Sequence, residues 1–100
     1  MARKRNRELD AVRLYDNGGG ALFGRFTAVF TNWIWTRDGD GREYAARSTP
    51  LGRAYPCLHL SETGERRYGE AVPGRSLGRR GAFHDLPPAC QEAVLDALKD

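Results

Sequence analysis

A glycine-rich turn signal between two apolar segments constrains the fold of the N-terminal half of this chain. The run DNGGG at 16–20 separates the alternating segment 9–15 from the apolar segment 21–36. Asn-Gly is a strong hairpin signal, because the central residues of a primed turn need positive φ, which Asn and Gly tolerate. The pattern predicts a long β-hairpin with Asn17 and Gly18 at positive φ at its tip.

The second arm of that hairpin, residues 21–36, is apolar on both faces. One face carries Phe26 and Phe30, and the other carries Trp33 and Trp35. A strand with two apolar faces is either covered on both sides or exposes an aromatic patch. We predict one long strand here, broken or bulged by the single glycine after Phe23.

The middle of the chain has weaker periodicity. Residues 43–47 predict a third strand that places Tyr44 beside the tryptophan-rich end of the hairpin. Residues 55–60 alternate as a short strand does. Residues 66–80 hold five arginines among glycines, which predicts an irregular basic loop.

The C-terminal segment has the clearest pattern. Leu86-Pro87-Pro88 predicts a helix start, because proline is tolerated in the first helical turn, where the missing N–H would have no partner. Apolar residues then recur at helical spacing. They are Leu86, Cys90, Ala93, Val94, Ala97 and Leu98. We expect this stripe to pack on one face of the sheet.

One hundred residues suffice for one small domain. We predict an α+β fold, a small twisted antiparallel β-meander led by the long hairpin, with one C-terminal α-helix packed on it. Residues 1–8 are expected to form a basic N-terminal tail and residues 9–100 a single domain. No run approaches the roughly 18 apolar residues of a membrane span, so we expect no membrane partner.

The charge is distributed unevenly. The chain has a net charge of +3, and its acidic residues concentrate after residue 84. Fourteen of the 16 basic residues are arginine, which either favours bidentate contacts to phosphate or carboxylate or reflects a compositional habit. Such a chain is compatible with nucleic-acid or acidic-protein partners.

The residue types that carry chemistry are few. Zinc sites usually take their ligands from closely spaced pairs of residues. The spacing of Cys57, His59, His84 and Cys90 does not give two such pairs, so we expect no metal site and no cofactor. The two cysteines cannot form a disulfide framework and favour a reducing cytoplasm. His59 and His84 could form an acid–base pair in a small hydrolase, but no nucleophile motif accompanies them. We therefore expect no enzyme.

The candidate binding residues combine aromatic and arginine side chains. Stacking platforms for single strands and hot spots of protein interfaces both use this combination. The predicted partner-binding residues are Trp33, Trp35, Tyr44, Arg66, Arg67, Arg75, Arg79 and Arg80. A secondary basic cluster comprises Arg3, Lys4, Arg5 and Arg7. The alternative is that residues 48–80 fold over the tryptophans as a second small core.

Two sequence blocks resemble small phage and prophage proteins of uncharacterised function. The first runs from Tyr15 to Phe30 and is similar to their "YDNGG…DRYTVVF" motif, with Gly24 in place of the aspartate. The second runs from Leu77 to Cys90 and is similar to their "LGKRI.F.DLP..CQ" motif. Together the blocks cover 30 residues in the same order.

The resemblance implies a mobile-element origin and action in the cytoplasm of a bacterial host cell. By analogy with other small phage proteins, it implies a non-enzymatic inhibitor that occupies a surface of a host protein or ribonucleoprotein complex, such as a CRISPR effector. This anti-CRISPR-like function is our first hypothesis. The alternative is a single-stranded nucleic-acid-binding module that uses Trp33, Trp35 and the arginine clusters.

Overall fold

The computed structural model of this chain describes residues 9, 11–19, 24–31, 35–36, 43–44 and 47–98. Within these residues it has an antiparallel sheet of six strands and a C-terminal helix. This arrangement confirms the predicted α+β class.

The strands and the helix are numbered in chain order. The strands are β1 (Val12–Asp16), β2 (Phe26–Phe30), β3 (Trp35–Thr36), β4 (Glu43–Tyr44), β5 (Arg47–Thr49), β6 (Gly52–Leu60), β7 (Arg66–Ala71) and β8 (Arg79–Gly81). The helix is α1 (Pro88–Leu98), and two turns of 3-10 helix cover Arg75–Leu77 and Phe83–Asp85.

The β1–β2 hairpin lies in the middle of the sheet. β6 pairs with β2, β7 pairs with the other edge of β6, and β8 returns to pair with β1. The order across the sheet is therefore β7-β6-β2-β1-β8, with β5 paired to the start of β6. β3 and β4 form a separate two-stranded sheet, in which Trp35 lies opposite Tyr44.

The helix covers one face of the sheet with the predicted apolar stripe. All six stripe residues are buried, and they pack with alternate residues of the central strands. The strand contributors are Val12, Leu14, Phe26, Ala28, Phe30, Leu58 and Leu60. The regular spacing of apolar residues along α1 explains why this contact could be predicted.

The opposite face of the sheet carries a smaller core. Tyr15, Val29 and Cys57 are buried there and contact partly buried residues, among them Leu77 from the 3-10 turn. All five residues of β2 are buried as a result. Of the two alternatives for the apolar second arm, cover on both sides is therefore correct for β2.

The hairpin tip differs from the predicted Asn-Gly turn. Gly18 and Gly19 have φ values of 84° and 94°, as required at a tight turn, but no described non-glycine residue has a positive φ. Asn17 instead continues the strand ladder, because its backbone N–H donates to the carbonyl of Arg25 at 3.0 Å. The prediction of positive φ is confirmed at Gly18 and is wrong at Asn17.

Two further predictions are wrong. Segment 21–36 is not one strand, because β2 belongs to the main sheet and β3 to the two-stranded sheet. Segment 66–80 is not an irregular loop, because it contains β7 and the start of β8. Both of these strands lie at edges of the sheet, where charged residues and glycine are common and the apolar alternation of a buried strand is absent.

We expect Val94→Ala and Leu98→Ala each to lower the free energy of unfolding by about 2–4 kcal/mol. Both side chains are 2% exposed or less, so each truncation removes buried contacts and leaves a cavity. Denaturant melts followed by circular dichroism measure the effect. Glu92→Ala, at an exposed position of the same helix, is the control; equal melts for all three variants would contradict packing of α1 on the sheet.

Candidate functional site

An open groove of about 910 Å³ lies beside the turn end of the β1–β2 hairpin. Its walls come from the ends of β1 and β2, from the segment that contains the first 3-10 turn, and from β8. Four arginines line it: Arg25, Arg75, Arg79 and Arg80. We call it the arginine groove.

Pairing between β8 and β1 forms the groove. Arg79 lies opposite Asp16 in the register, and Arg80 lies opposite Tyr15. Gly78 makes this approach possible: its φ is 114°, and a Cβ at this position would clash with the backbone carbonyl of Asp16. The close backbone contact therefore requires glycine and brings the arginines of 75–80 to the hairpin.

Arg25 is held rigidly at one wall of the groove. Its Nε and Nη2 donate to the two carboxylate oxygens of Asp16 at 2.9 and 3.1 Å, and its Nη1 donates to Glu62 Oε2 at 3.0 Å. Its guanidinium also lies 5.3 Å from the ring centre of Phe26. Such a bidentate pair fixes the orientation of the guanidinium plane.

The carboxylate of Asp16 forms its ion pair with Arg25, within the same hairpin. Hydrogen bonds from Arg25 hold the pKa of Asp16 below its usual range, and the N–H of Gly18, 2.8 Å from Oδ1, acts in the same direction. The pKa of Arg25 is raised, first by Asp16 and then by Glu62. Arg25 is therefore the main partner of the Asp16 carboxylate, and the charge of Arg79 acts on the same carboxylate more weakly.

The remaining three groove arginines have no carboxylate partner in the described part of the chain. Arg75, Arg79 and Arg80 are exposed, and none makes an ion pair with a described residue. Arg80 lies over the ring of Tyr15, with its guanidinium carbon 5.8 Å from the ring centre. The groove thus concentrates positive charge that the described residues leave uncompensated.

The backbone of β8 adds a donor at the same place. Residues of an antiparallel strand alternate between the two neighbouring strands in their hydrogen bonding. The backbone N–H of Asn17 bonds to Arg25, on the β2 side of β1. By alternation, the backbone groups of Tyr15 also point towards β2, whereas those of Leu14 and Asp16 point towards β8. The N–H of Arg80 then points away from β1, along the outer edge of the sheet.

The structure does not bring all the predicted binding arginines together. Arg66 makes an ion pair with Asp96 of α1 at 3.0 Å. Arg67 of β7 lies opposite His59 of β6. β7 and β8 are at opposite edges of the sheet, about 19 Å apart at a typical strand spacing. Of the five predicted arginines, only Arg75, Arg79 and Arg80 share the groove.

The predicted aromatic residues are placed only in part. Trp35 and Tyr44 are opposite positions in the register of the β3–β4 pair, as expected from the third-strand prediction. Trp33 lies outside the described residues, and so does the basic cluster Arg3, Lys4, Arg5 and Arg7.

Sequence reasoning missed Arg25 and Tyr15 as groove residues. Both belong to the first block of the phage-like motif, but nothing in the residue pattern distinguished them from ordinary strand residues. The missing information was the hairpin register. Once Asp16 is known to lie opposite Phe26, the pairing of its carboxylate with Arg25 follows from proximity.

His59 belongs to a separate cluster on the face of the sheet away from α1. Its Nδ1 is 3.1 Å from Thr27 Oγ1, and its Nε2 is 3.5 Å from Cys57 Sγ. Burial raises the pKa of Cys57 to about 12, and burial followed by the charge of Arg67 lowers the pKa of His59. At neutral pH the thiol is therefore protonated rather than an activated nucleophile.

His84 is not part of that cluster in the structure. It lies in the exposed 3-10 turn before α1, with its ring 5.9 Å from the ring of Phe83. The described residues contain no group of three or more His, Cys, Asp or Glu side chains that could hold a metal ion.

No known family model, curated protein or solved structure matches this chain. In the part of the chain that the structure describes, no helix has both the length and the apolar character needed to cross a membrane.

We expect Asp16→Asn to reduce the pH dependence of stability. Because the pKa of folded Asp16 is lowered, its pairing with Arg25 stabilises the fold above the ordinary aspartate pKa of about 4, and this stabilisation is lost as the pH falls through the lowered value. Urea melts should separate the variant from the natural chain at pH 7 and bring them together near pH 2. Asp85→Asn, at an exposed carboxylate, is the control. A difference at pH 2 as large as that at pH 7 would contradict this role.

Proposed function

We propose that this chain is a non-enzymatic binding protein that holds a polyanion in the arginine groove. The observation that supports this proposal is the convergence of Arg75, Arg79 and Arg80, which have no ion pair with the described residues, around an open groove. Exposed positive charges around an open groove attract an anionic partner. Arginine suits such a partner because its planar fork bonds phosphate and carboxylate bidentately.

The resemblance to small phage and prophage proteins supports a biological setting for this binding. In that setting the chain acts in the cytoplasm of a bacterial host cell, and its partner is a host nucleoprotein defence complex. The arginine groove would occupy the nucleic acid or an acidic surface of that complex and so inhibit it, as an anti-CRISPR protein does. The binding of a polyanion by the groove is the part of this proposal that can be tested with the isolated protein.

The test compares two double charge reversals that lower the net charge equally. Arg75→Glu with Arg79→Glu changes the groove, whereas Arg13→Glu with Arg53→Glu changes two exposed arginines outside it. We expect the groove variant to weaken binding of a fluorescent ten-nucleotide oligonucleotide or of inorganic polyphosphate by at least about tenfold. We expect the control to weaken binding only slightly, and the affinity of the natural chain to fall as salt is added.

Two results would contradict the proposal. Equal losses in both variants would mean that net charge, and not the groove, attracts the anion. Absence of binding by the natural chain at low salt would exclude polyanion binding altogether. Circular dichroism melts of both variants show whether the fold is retained, which is expected because all four substituted side chains are exposed.

A further inference from the structure

We propose, on the basis of the polyanion-binding function above, that the ligand of the arginine groove is single-stranded nucleic acid. One base of the strand stacks on the guanidinium of Arg80, and the neighbouring phosphates bond to Arg75 and Arg79.

Arg80 has the geometry of a stacking platform. Its guanidinium lies over the ring of Tyr15, which is only 4% exposed, while Arg80 itself is exposed. The guanidinium carbon of Arg80 therefore lies 5.8 Å from the centre of a buried ring, while the side chain as a whole is open to solvent. Unpaired bases stack on arginine planes and on aromatic rings in proteins that bind single strands.

Arg79 lies on the other side of the same strand. Consecutive residues of a strand point to opposite faces, and in the register Arg79 accompanies Asp16 whereas Arg80 accompanies Tyr15. The outward N–H of Arg80 lies between the two side chains, and Arg75 lines the same groove. The groove thus offers the exposed guanidinium of Arg80, two further arginines as phosphate ligands and a backbone donor at the edge of β8.

This arrangement favours a single strand over the other polyanions. A single strand can turn one base onto the guanidinium of Arg80 while its phosphates contact Arg75 and Arg79. In a duplex the bases are stacked and paired, so they present only their edges in the grooves. An acidic peptide has carboxylates for the arginines but leaves the solvent-facing plane of Arg80 uncovered.

The experiment measures the affinity of the full chain for four fluorescent probes of similar charge. They are a ten-nucleotide single strand, a duplex, a ten-unit abasic sugar–phosphate strand and a poly-glutamate peptide. We expect the single strand to bind at least about fivefold more tightly than the abasic strand, since stacking of one base supplies a gain of this order. Duplex and peptide should bind no better than the abasic strand.

Arg80→Lys separates stacking from charge. The variant keeps the positive charge but loses the flat guanidinium, so we expect it to bind the single strand and the abasic strand with equal affinity. Arg13→Lys, at an exposed position outside the groove, is the matched control and should retain the preference. The comparison of the two strands on the natural chain does not depend on how well either variant folds.

Each outcome distinguishes this proposal from the function on which it rests. Equal affinity of the natural chain for all four probes would overturn single-strand recognition while leaving polyanion binding intact. Tightest binding of poly-glutamate would overturn it in favour of an acidic protein partner, and tightest binding of the duplex would overturn it in favour of double-stranded nucleic acid. Failure of every probe to bind would overturn both proposals.

Discussion

The pairing of β1 with β2 is the interaction on which the rest of the described structure depends. β6 attaches to the free edge of β2, β8 attaches to the free edge of β1, and α1 packs across the residues that these strands turn to one face. Asp16 stands at the turn end of this pair. It accepts hydrogen bonds from Arg25 and Gly18, and its backbone receives the close approach of Gly78. The hairpin and the returning strand therefore meet at one residue, and the arginine groove forms beside it.

Among the described residues, two groups of arginines differ in their partners. Arg25 and Arg66 have carboxylates at hydrogen-bonding distance, and these pairs connect the hairpin with Glu62 and β7 with α1. Arg75, Arg79 and Arg80 make no such pair with the described residues, although they crowd the same groove. Pairing of β8 with β1 fixes the backbone of the last two beside the hairpin. The first group connects parts of the fold, and the second group supports the proposed binding of an anion.

The sequence predicted those parts of the fold that periodicity encodes. The stripe on α1 repeats an apolar residue at helical spacing, and the faces of β2 alternate, so both cores could be expected. The edge strands could not be predicted in this way. β7 pairs with one neighbouring strand, β6, and its exposed residues Arg66, Arg67 and Glu70 do not show an apolar alternation. The groove was harder still to predict. It depends on residues near 16 meeting residues near 79, a pairing that no local pattern encodes and that the close approach of Gly78 permits.

The most direct test of this account is to observe the arginine side chains while a ligand binds. In a nitrogen-15 NMR titration with a ten-nucleotide single strand, the Nε–Hε signals of Arg75, Arg79 and Arg80 should shift together and saturate at one ligand concentration. The signals of Arg13 and Arg53, exposed outside the groove, should stay in place. Shifts at Arg13 and Arg53 with none at the groove arginines would contradict the account.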